Sequence, residues 1–342
     1  MSKRDPAKPS HHLVVTIGIL AFLVVMIAIF LSGNPNSQAG GHQRENATGL
    51  TAGANAEDIW VAPDTSLIPA GPEGDLIRYG RELVTHTAVY LGPKSNVKPI
   101  SNGMNCQNCH LEAGTKPFGN NYSAVAATYP KYRDRSGTIE PLEKRVNDCI
   151  ERSLNGQRLE EASREMRAFI AYIFWVGKDV TKGVSPEGSG LVAVPFLSRP
   201  ADPEKGRKVY KTHCQVCHGI NGGGALTENG TEWLYPPLYG DNSYNTGAGL
   251  FRLSRLAGYV KANMPFGVRY DSTVLSDEES WDVAAYINSR PRPVKDISMD
   301  WPDVSTKPFD HPFGPYVDHY SEEEHKFGPF GSIKRNKGTR LP

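Results

Sequence analysis

Apolar and polar positions divide the chain into three regimes. Leu13 to Leu31, LVVTIGILAFLVVMIAIFL, is 19 residues without a charge, near the roughly 20 a helix needs to cross a bilayer. From Gly33 to about Asp58 the chain is rich in Gly, Asn, Ala and Ser with little to bury, which predicts a flexible tether. Beyond it, apolar residues recur at helical spacing. GRELV at 80–84 and LEEASREMRAFIAYIFWVG at 159–177 read as a leading and a closing helix. DPEKGRKVYKTH at 202–213 and LSDEESWDVAAYINS at 275–289 repeat that order, with Trp281, Ala284, Ala285 and Ile287 facing inward. Between the first pair, PLEKRVNDCIERSLNG at 141–156 places Leu142, Val146, Cys149, Ile150 and Leu154 on one helical face. The expected architecture is all-α.

Length adds that 342 residues exceed one domain and favour two. The balance of 38 basic and 37 acidic side chains gives a net charge of +1 and no reason to expect nucleic acid. With 34 glycines and 26 prolines, long structured loops should separate the helices. Lys3, Arg4 and Lys8 precede the apolar run and no charge follows until Arg44. The positive-inside rule therefore makes residues 1–32 a single-pass anchor in the inner membrane, with everything after it on the periplasmic face. A cleaved secretory signal is the rival, but this apolar core is longer than usual and LSGNPNSQAG offers no convincing small-x-small site.

Four of five cysteines lie in CQNCH at 106–110 and CQVCH at 214–218, the pattern for covalent haem c attachment. Cys106 and Cys109, and again Cys214 and Cys217, reach the haem vinyl groups, with His110 and His218 as proximal iron ligands. A redox or zinc Cys pair is the rival for one such motif; two copies on an exported chain favour two haems. Four thioethers leave Cys149 alone, so no disulfide forms within this chain. The divisions that follow are a tether at 33–58, a first cytochrome c domain at 59–178, a linker at 179–200, a second domain at 201–290 and a wrapping segment at 291–342.

In the second domain, Met264 precedes Pro265 and Phe266 in VKANMPFG and is the obvious second ligand of haem 2, against its use as core filler. The tripeptide AYI at 171–173 and 285–287 gives a ruler: Met264 lies 22 residues before Tyr286, and Cys149 lies 23 before Tyr172. Cys149 thus occupies the methionine slot, although by periodicity alone it reads as core. Met166 falls inside the closing helix opposite Ser280, and Met104 and His86 precede the haem motif. Arg145 and Arg152 stand four before and three after Cys149, on its side of the helix, where they stabilise a thiolate and attract a dianion.

Through NGMNCQNCHLEAGT, YPKYRDRSG, LEKRVNDCIERSLNG, SREMRAFIAYIFWVG and HKFGPF, the chain resembles the dihaem c-type thiosulfate dehydrogenases, some of which also reduce tetrathionate. The resemblance implies His110 and Cys149 on haem 1, His218 and Met264 on haem 2, and substrate binding at Arg135, Arg145 and Ser153. Arg152 is a further candidate. It also implies that Cys149 leaves the iron and bonds to substrate sulfur during turnover. One departure is Asn263, where relatives can carry a lysine able to compete with the methionine; here Lys261 lies two further back. Two thiosulfate dianions must be joined with loss of two electrons, and guanidinium groups offset their repulsion. A thiolate ligand lowers the haem 1 potential relative to Met-ligated haem 2, so electrons should run from haem 1 to haem 2 and on to a cytochrome c or a membrane oxidase. Sulfite or a related oxyanion would also suit the arginines. A carrier without its own substrate is the alternative, and it leaves the arginines and Ser153 without a task. His311, His319 and His325 lie in an aromatic-rich segment expected to wrap both domains, each a weaker ligand candidate than those named.

Overall fold

The computed structural model describes residues 59–338 apart from Asn96. The expected membrane span and tether lie outside the described residues. Among the described residues, no helix is long and apolar enough to cross a membrane.

The first half begins with α1 (Pro72–Thr85), which has Pro72 in its first turn, where the missing N–H costs nothing, and Glu73 and Asp75 facing the positive helix end. After the first haem motif come two short strands, β1 (Lys131–Arg133) and β2 (Thr138–Glu140), paired antiparallel. They lead into α2 (Leu142–Arg152) and α3 (Arg164–Val176). Ser163 stops α3 at its N-terminus by accepting from the Met166 N–H at 3.2 Å, so residues 159–163 of the predicted helix are not helical.

The second half repeats the plan with α4 (Pro203–His213), α5 (Leu253–Asn263) and α6 (Asp277–Ser289). Asp202 caps α4, and Ser276 caps α6 reciprocally with Glu279. A second small ladder, β3 (Ala225–Leu226) with β4 (Trp233–Tyr235), precedes α5. Regular structure is thus helical, with two two-stranded ladders that a helix-only expectation omits. Tyr132 and Ile139 are exposed on the first, so that face of it lies outside the core.

Each half has one glycine where its leading and closing helices touch. A Cβ on Gly80 would lie 2.0 Å from the Ala168 carbonyl oxygen and 2.7 Å from Cβ of Tyr172. A Cβ on Gly206 would lie 1.8 Å from the Asp282 carbonyl oxygen and 2.9 Å from Cβ of Tyr286. The two AYI tyrosines therefore hold equivalent places. Around them lie two cores: Leu83, Val84, Phe169, Tyr172 and Val176 in the first, Tyr210, Trp281, Val283 and Ile287 in the second.

Helix α5 ties the halves together. Tyr259 Oη donates to the Asn108 carbonyl inside the first haem motif at 2.7 Å, and Asn263 Nδ2 donates to the Phe118 carbonyl at 3.0 Å. The chain after α6 touches both halves: the Trp301 N–H donates to the Arg135 carbonyl at 2.7 Å, while Phe330 and Ile333 enter the second core.

Candidate functional site

A cavity of about 260 Å³ opens beside the first haem motif. Four sequence-distant pieces line it: Cys109 and His110 from the motif; Arg145, Cys149, Arg152 and Ser153 from α2 and its cap; Arg133 and Arg135 from the first hairpin; and Arg252 and Arg255 from the start of α5. Helix α2 delivers its residues because Leu142 and Ile150 are buried in the first core, which turns Arg145, Cys149 and Arg152 to the open side. Met166 and Met104 are fully buried core residues. His86 Nδ1 meets Glu232 at 2.9 Å. Both ring nitrogens of His325 are engaged, with the Phe309 carbonyl and Asp318. His311 is buried and donates to the Phe313 carbonyl, while His319 is exposed.

Six arginines share this cavity with one carboxylate, Asp148, which Lys144 holds at 3.2 Å. Arg152 is gripped in a two-point pair by Asp300, at 2.7 and 2.8 Å, and Asp300 also lies 4.0 Å from Arg135. Arg135 further donates to the Gly247 carbonyl at 3.1 Å and lies over the Trp301 ring. Burial, and then repulsion from Arg152, pull Arg135 down to about 10. Arg145 makes no ion pair or side-chain hydrogen bond with any described residue. Attraction to Cys149 in its thiolate form is the largest influence on it and raises its pKa, outweighing desolvation.

The sequence pointed to Arg135, Arg145 and Arg152 but missed Arg133, Arg252 and Arg255. A signal exists for the last two: FRLSRLAGYVKANM puts arginines three apart at the start of the helix that ends just before Met264.

The remaining predicted site residues belong to the second half. His218 is buried, and Met264 and Cys214 pack partly buried against the second core. Met264 is the first residue beyond α5. Asn263, just before it, is turned to the Phe118 and Tyr259 carbonyls. Lys261 is held by the Leu275 carbonyl at 2.7 Å and Asp277 at 2.9 Å.

The family comparisons agree with this division. A cytochrome c model matches residues 203–291, and a model described as SoxA/TsdA, cytochrome c domain, matches residues 96–181. The thiosulfate dehydrogenase of Psychrobacter arcticus is 38% identical over 255 residues, covering 74% of this chain and 75% of that one. That of Allochromatium vinosum is 37% identical, covering 72% of this chain and 90% of its own. The chain belongs to the dihaem thiosulfate dehydrogenase family. A solved thiosulfate dehydrogenase, TsdBA from Marichromatium purpuratum, superposes with a TM-score of 0.64 at 32% identity; the match covers 70% of this chain and half of that longer one.

As a member of the thiosulfate dehydrogenase family, the chain binds two c-type haems covalently, one per motif, and its residues fit them. His110 Nδ1 lies 2.5 Å from the Asn120 carbonyl and His218 Nδ1 lies 2.8 Å from the Pro236 carbonyl. A carbonyl only accepts, so each Nδ1 carries the proton and each Nε2 keeps the lone pair a metal requires. Desolvation holds His110 at about 4 and lowers His218, keeping both rings neutral. Near the first motif, Arg292 stacks over Tyr244, a cavity-lining residue, yet its Nε and one terminal nitrogen are buried without partners. A haem propionate is the anion such a group would meet. The zinc alternative lacks a ligand set: no three His, Cys, Asp or Glu side chains are arranged to hold a metal ion among the described residues.

Proposed function

We propose that this protein oxidises thiosulfate to tetrathionate in the arginine-lined cavity, with His110 and Cys149 as ligands of haem 1 and His218 and Met264 as ligands of haem 2. The observation that supports this most is the setting of Cys149: a sulfur beside a haem motif, next to a guanidinium with no ion-pair partner among the described residues, in a cavity of net positive charge. When bound, the haems supply one-electron acceptors, and a thiolate-ligated centre feeds a thioether-ligated one.

The protein's own residues do the rest. Arg145 receives a thiosulfate dianion through charge-assisted hydrogen bonds. Ser153, which caps α2, adds a hydroxyl donor. Arg135 and Arg152 carry less of this task than sequence suggests, because Asp300 already answers both. Cys149 supplies the sulfur to which substrate sulfur is joined before a second thiosulfate displaces it, a route that runs backwards when tetrathionate is supplied. Leu13–Leu31 anchors the protein in the inner membrane with the haem domains on the periplasmic face, and a cytochrome c or membrane oxidase takes the electrons. Lys261 is held by Asp277 and Asn263 by two carbonyls, so neither of these neighbours competes with Met264.

The test is a Cys149→Ala protein assayed with thiosulfate and tetrathionate alongside its visible spectrum. Both haems should be retained and turnover should fall more than about a hundredfold, as when a reacting group is removed. Full thiosulfate oxidation by this variant would falsify the reading, and a wild-type protein whose haems thiosulfate never reduces would leave only an electron carrier.

A further inference from the structure

Two of the six cavity arginines differ from the other four. Arg133, Arg135, Arg152 and Arg252 each have a carboxylate within 4.0 Å: Glu140, Asp300, Asp300 and Asp310 respectively. Arg145 and Arg255 have none among the described residues. The acid nearest to Arg255 in the fold is already engaged. One oxygen of Asp310 takes Arg252 at 2.8 and 2.6 Å, and the other takes the backbone N–H and the hydroxyl of Ser254 at 3.0 and 2.5 Å. Arg255 is half-buried. Desolvation first and Arg252 second make its charge costly, and Arg145 adds to that repulsion. Two cations in each other's field, facing a cavity whose one lining carboxylate, Asp148, is held by Lys144, favour an anionic occupant.

The two arginines stand on different halves, Arg145 on α2 and Arg255 on α5. The reaction proposed above joins two dianions sulfur to sulfur, and its product carries one sulfonate at each end. We infer that Arg145 binds one sulfonate and Arg255 the other, so that the second haem domain provides the seat for the second thiosulfate. This rests on the thiosulfate reading. Arg255 binds and orients; the sulfur–sulfur bond and the two electrons released are those of the reaction already described. Gly249 and Leu250, from the loop before α5, complete that wall.

The experiment uses the dihaem protein as purified, with Arg255→Gln and Arg255→Met as uncharged variants, Arg255→Lys as the charged one, and Arg269→Gln as control, since Arg269 pairs with Asp271 on the surface. Two quantities are measured: the thiosulfate KM and kcat, and equilibrium binding of tetrathionate by calorimetry, which needs no turnover. Both uncharged variants should raise KM and weaken tetrathionate binding about tenfold or more, with kcat within threefold, the haem spectrum unchanged and Arg255→Lys in between. The control should match wild type. Wild-type KM and tetrathionate affinity in either uncharged variant would overturn the inference. So would equal losses in all three variants accompanied by a lowered Tm, which is the mark of a structural role. If the wild type does not turn over thiosulfate at all, the functional reading fails, while the binding arm still judges Arg255.

Discussion

The two haem halves share one frame and differ in where each places the sulfur proposed as its second ligand. Helices α2 and α5 are both 11 residues long. Cys149 sits inside α2, three residues before its end, whereas Met264 is the first residue past α5. The physical reason lies in side-chain length. Under the proposed ligation, a cysteine sulfur, bonded directly to Cβ, requires the helix itself to be brought up to the haem, whereas a methionine sulfur, one carbon further out on a flexible stem, reaches from a loop. A helix also carries its neighbours with it. Around Cys149 these are Arg145, Arg152 and Ser153; around Met264 they are Val260, which is buried, and Lys261, which is tied to Asp277. The same frame thus yields an arginine-lined open face in one half and, in the other, a helix end whose preceding residues are buried or paired.

The frame is broken most severely at its two glycines. Gly80→Ala or Gly206→Ala would push a methyl group to within 2.0 or 1.8 Å of a backbone oxygen that has no freedom to rotate away. Separating either helix pair should cost about 3 kcal/mol or more, the upper end for overpacking. Chemical denaturation of the dihaem variants measures it. Should the two halves be equivalent, the losses should be similar; a mild effect at one position alone would show that the crossing matters in only one of them.

The next change makes the first half imitate the second. Cys149→Met should keep both haems but replace thiolate by thioether, giving two centres of one spectral type, and should lower kcat/KM for thiosulfate about a hundredfold or more. Retained activity would mean that the arginines suffice and the sulfur's identity does not matter.

Much of this was legible because it is local. Both haem motifs, the helix bearing Cys149 and the equivalence of Tyr172 with Tyr286 follow from spacings of a few residues. The ruler's offset of one, 23 against 22, arises because Cys149 lies inside its helix and Met264 just past its own, a difference that the shorter connection from α2 to α3 largely offsets. What was not legible is non-local. Nothing near Arg152 announces Asp300, 148 residues on, and nothing near Cys149 announces Arg255 from the other half. Spacing placed both Arg145 and Arg152 beside Cys149; only the fold shows that Arg152 meets a carboxylate while Arg145 meets none among the described residues.

The segment after α6 allows a smaller test, by pH. His311 is buried against Trp301, with ring centroids 4.3 Å apart, and desolvation, before any other influence, lowers it to about 4. The unfolded chain binds this proton near pH 6.5 and the folded chain only near pH 4. Stability from this residue is therefore full above pH 6.5 and is lost as pH falls towards 4. Between pH 7 and 4.5 the loss should be about 2 kcal/mol at most, and His311→Asn should remove that part of the slope. An unchanged slope would place the acid sensitivity elsewhere.

The mildest change bears on the open face alone. Asp300 reaches from the C-terminal segment to neutralise Arg152 and, at longer range, Arg135. Asp300→Asn keeps the shape and removes the charge. Leaving Arg152 uncompensated at 12% side-chain exposure should destabilise the contact, yet it also makes the cavity more positive. Thiosulfate KM should therefore fall about threefold while the protein unfolds more easily, a modest field effect that added salt weakens. A rise in KM would instead show that Asp300 serves substrate binding by holding Arg152 and Arg135 in position. In that case the paired arginines, and not only Arg145 and Arg255, touch the dianions, and the polar face owes its affinity to orientation more than to net charge.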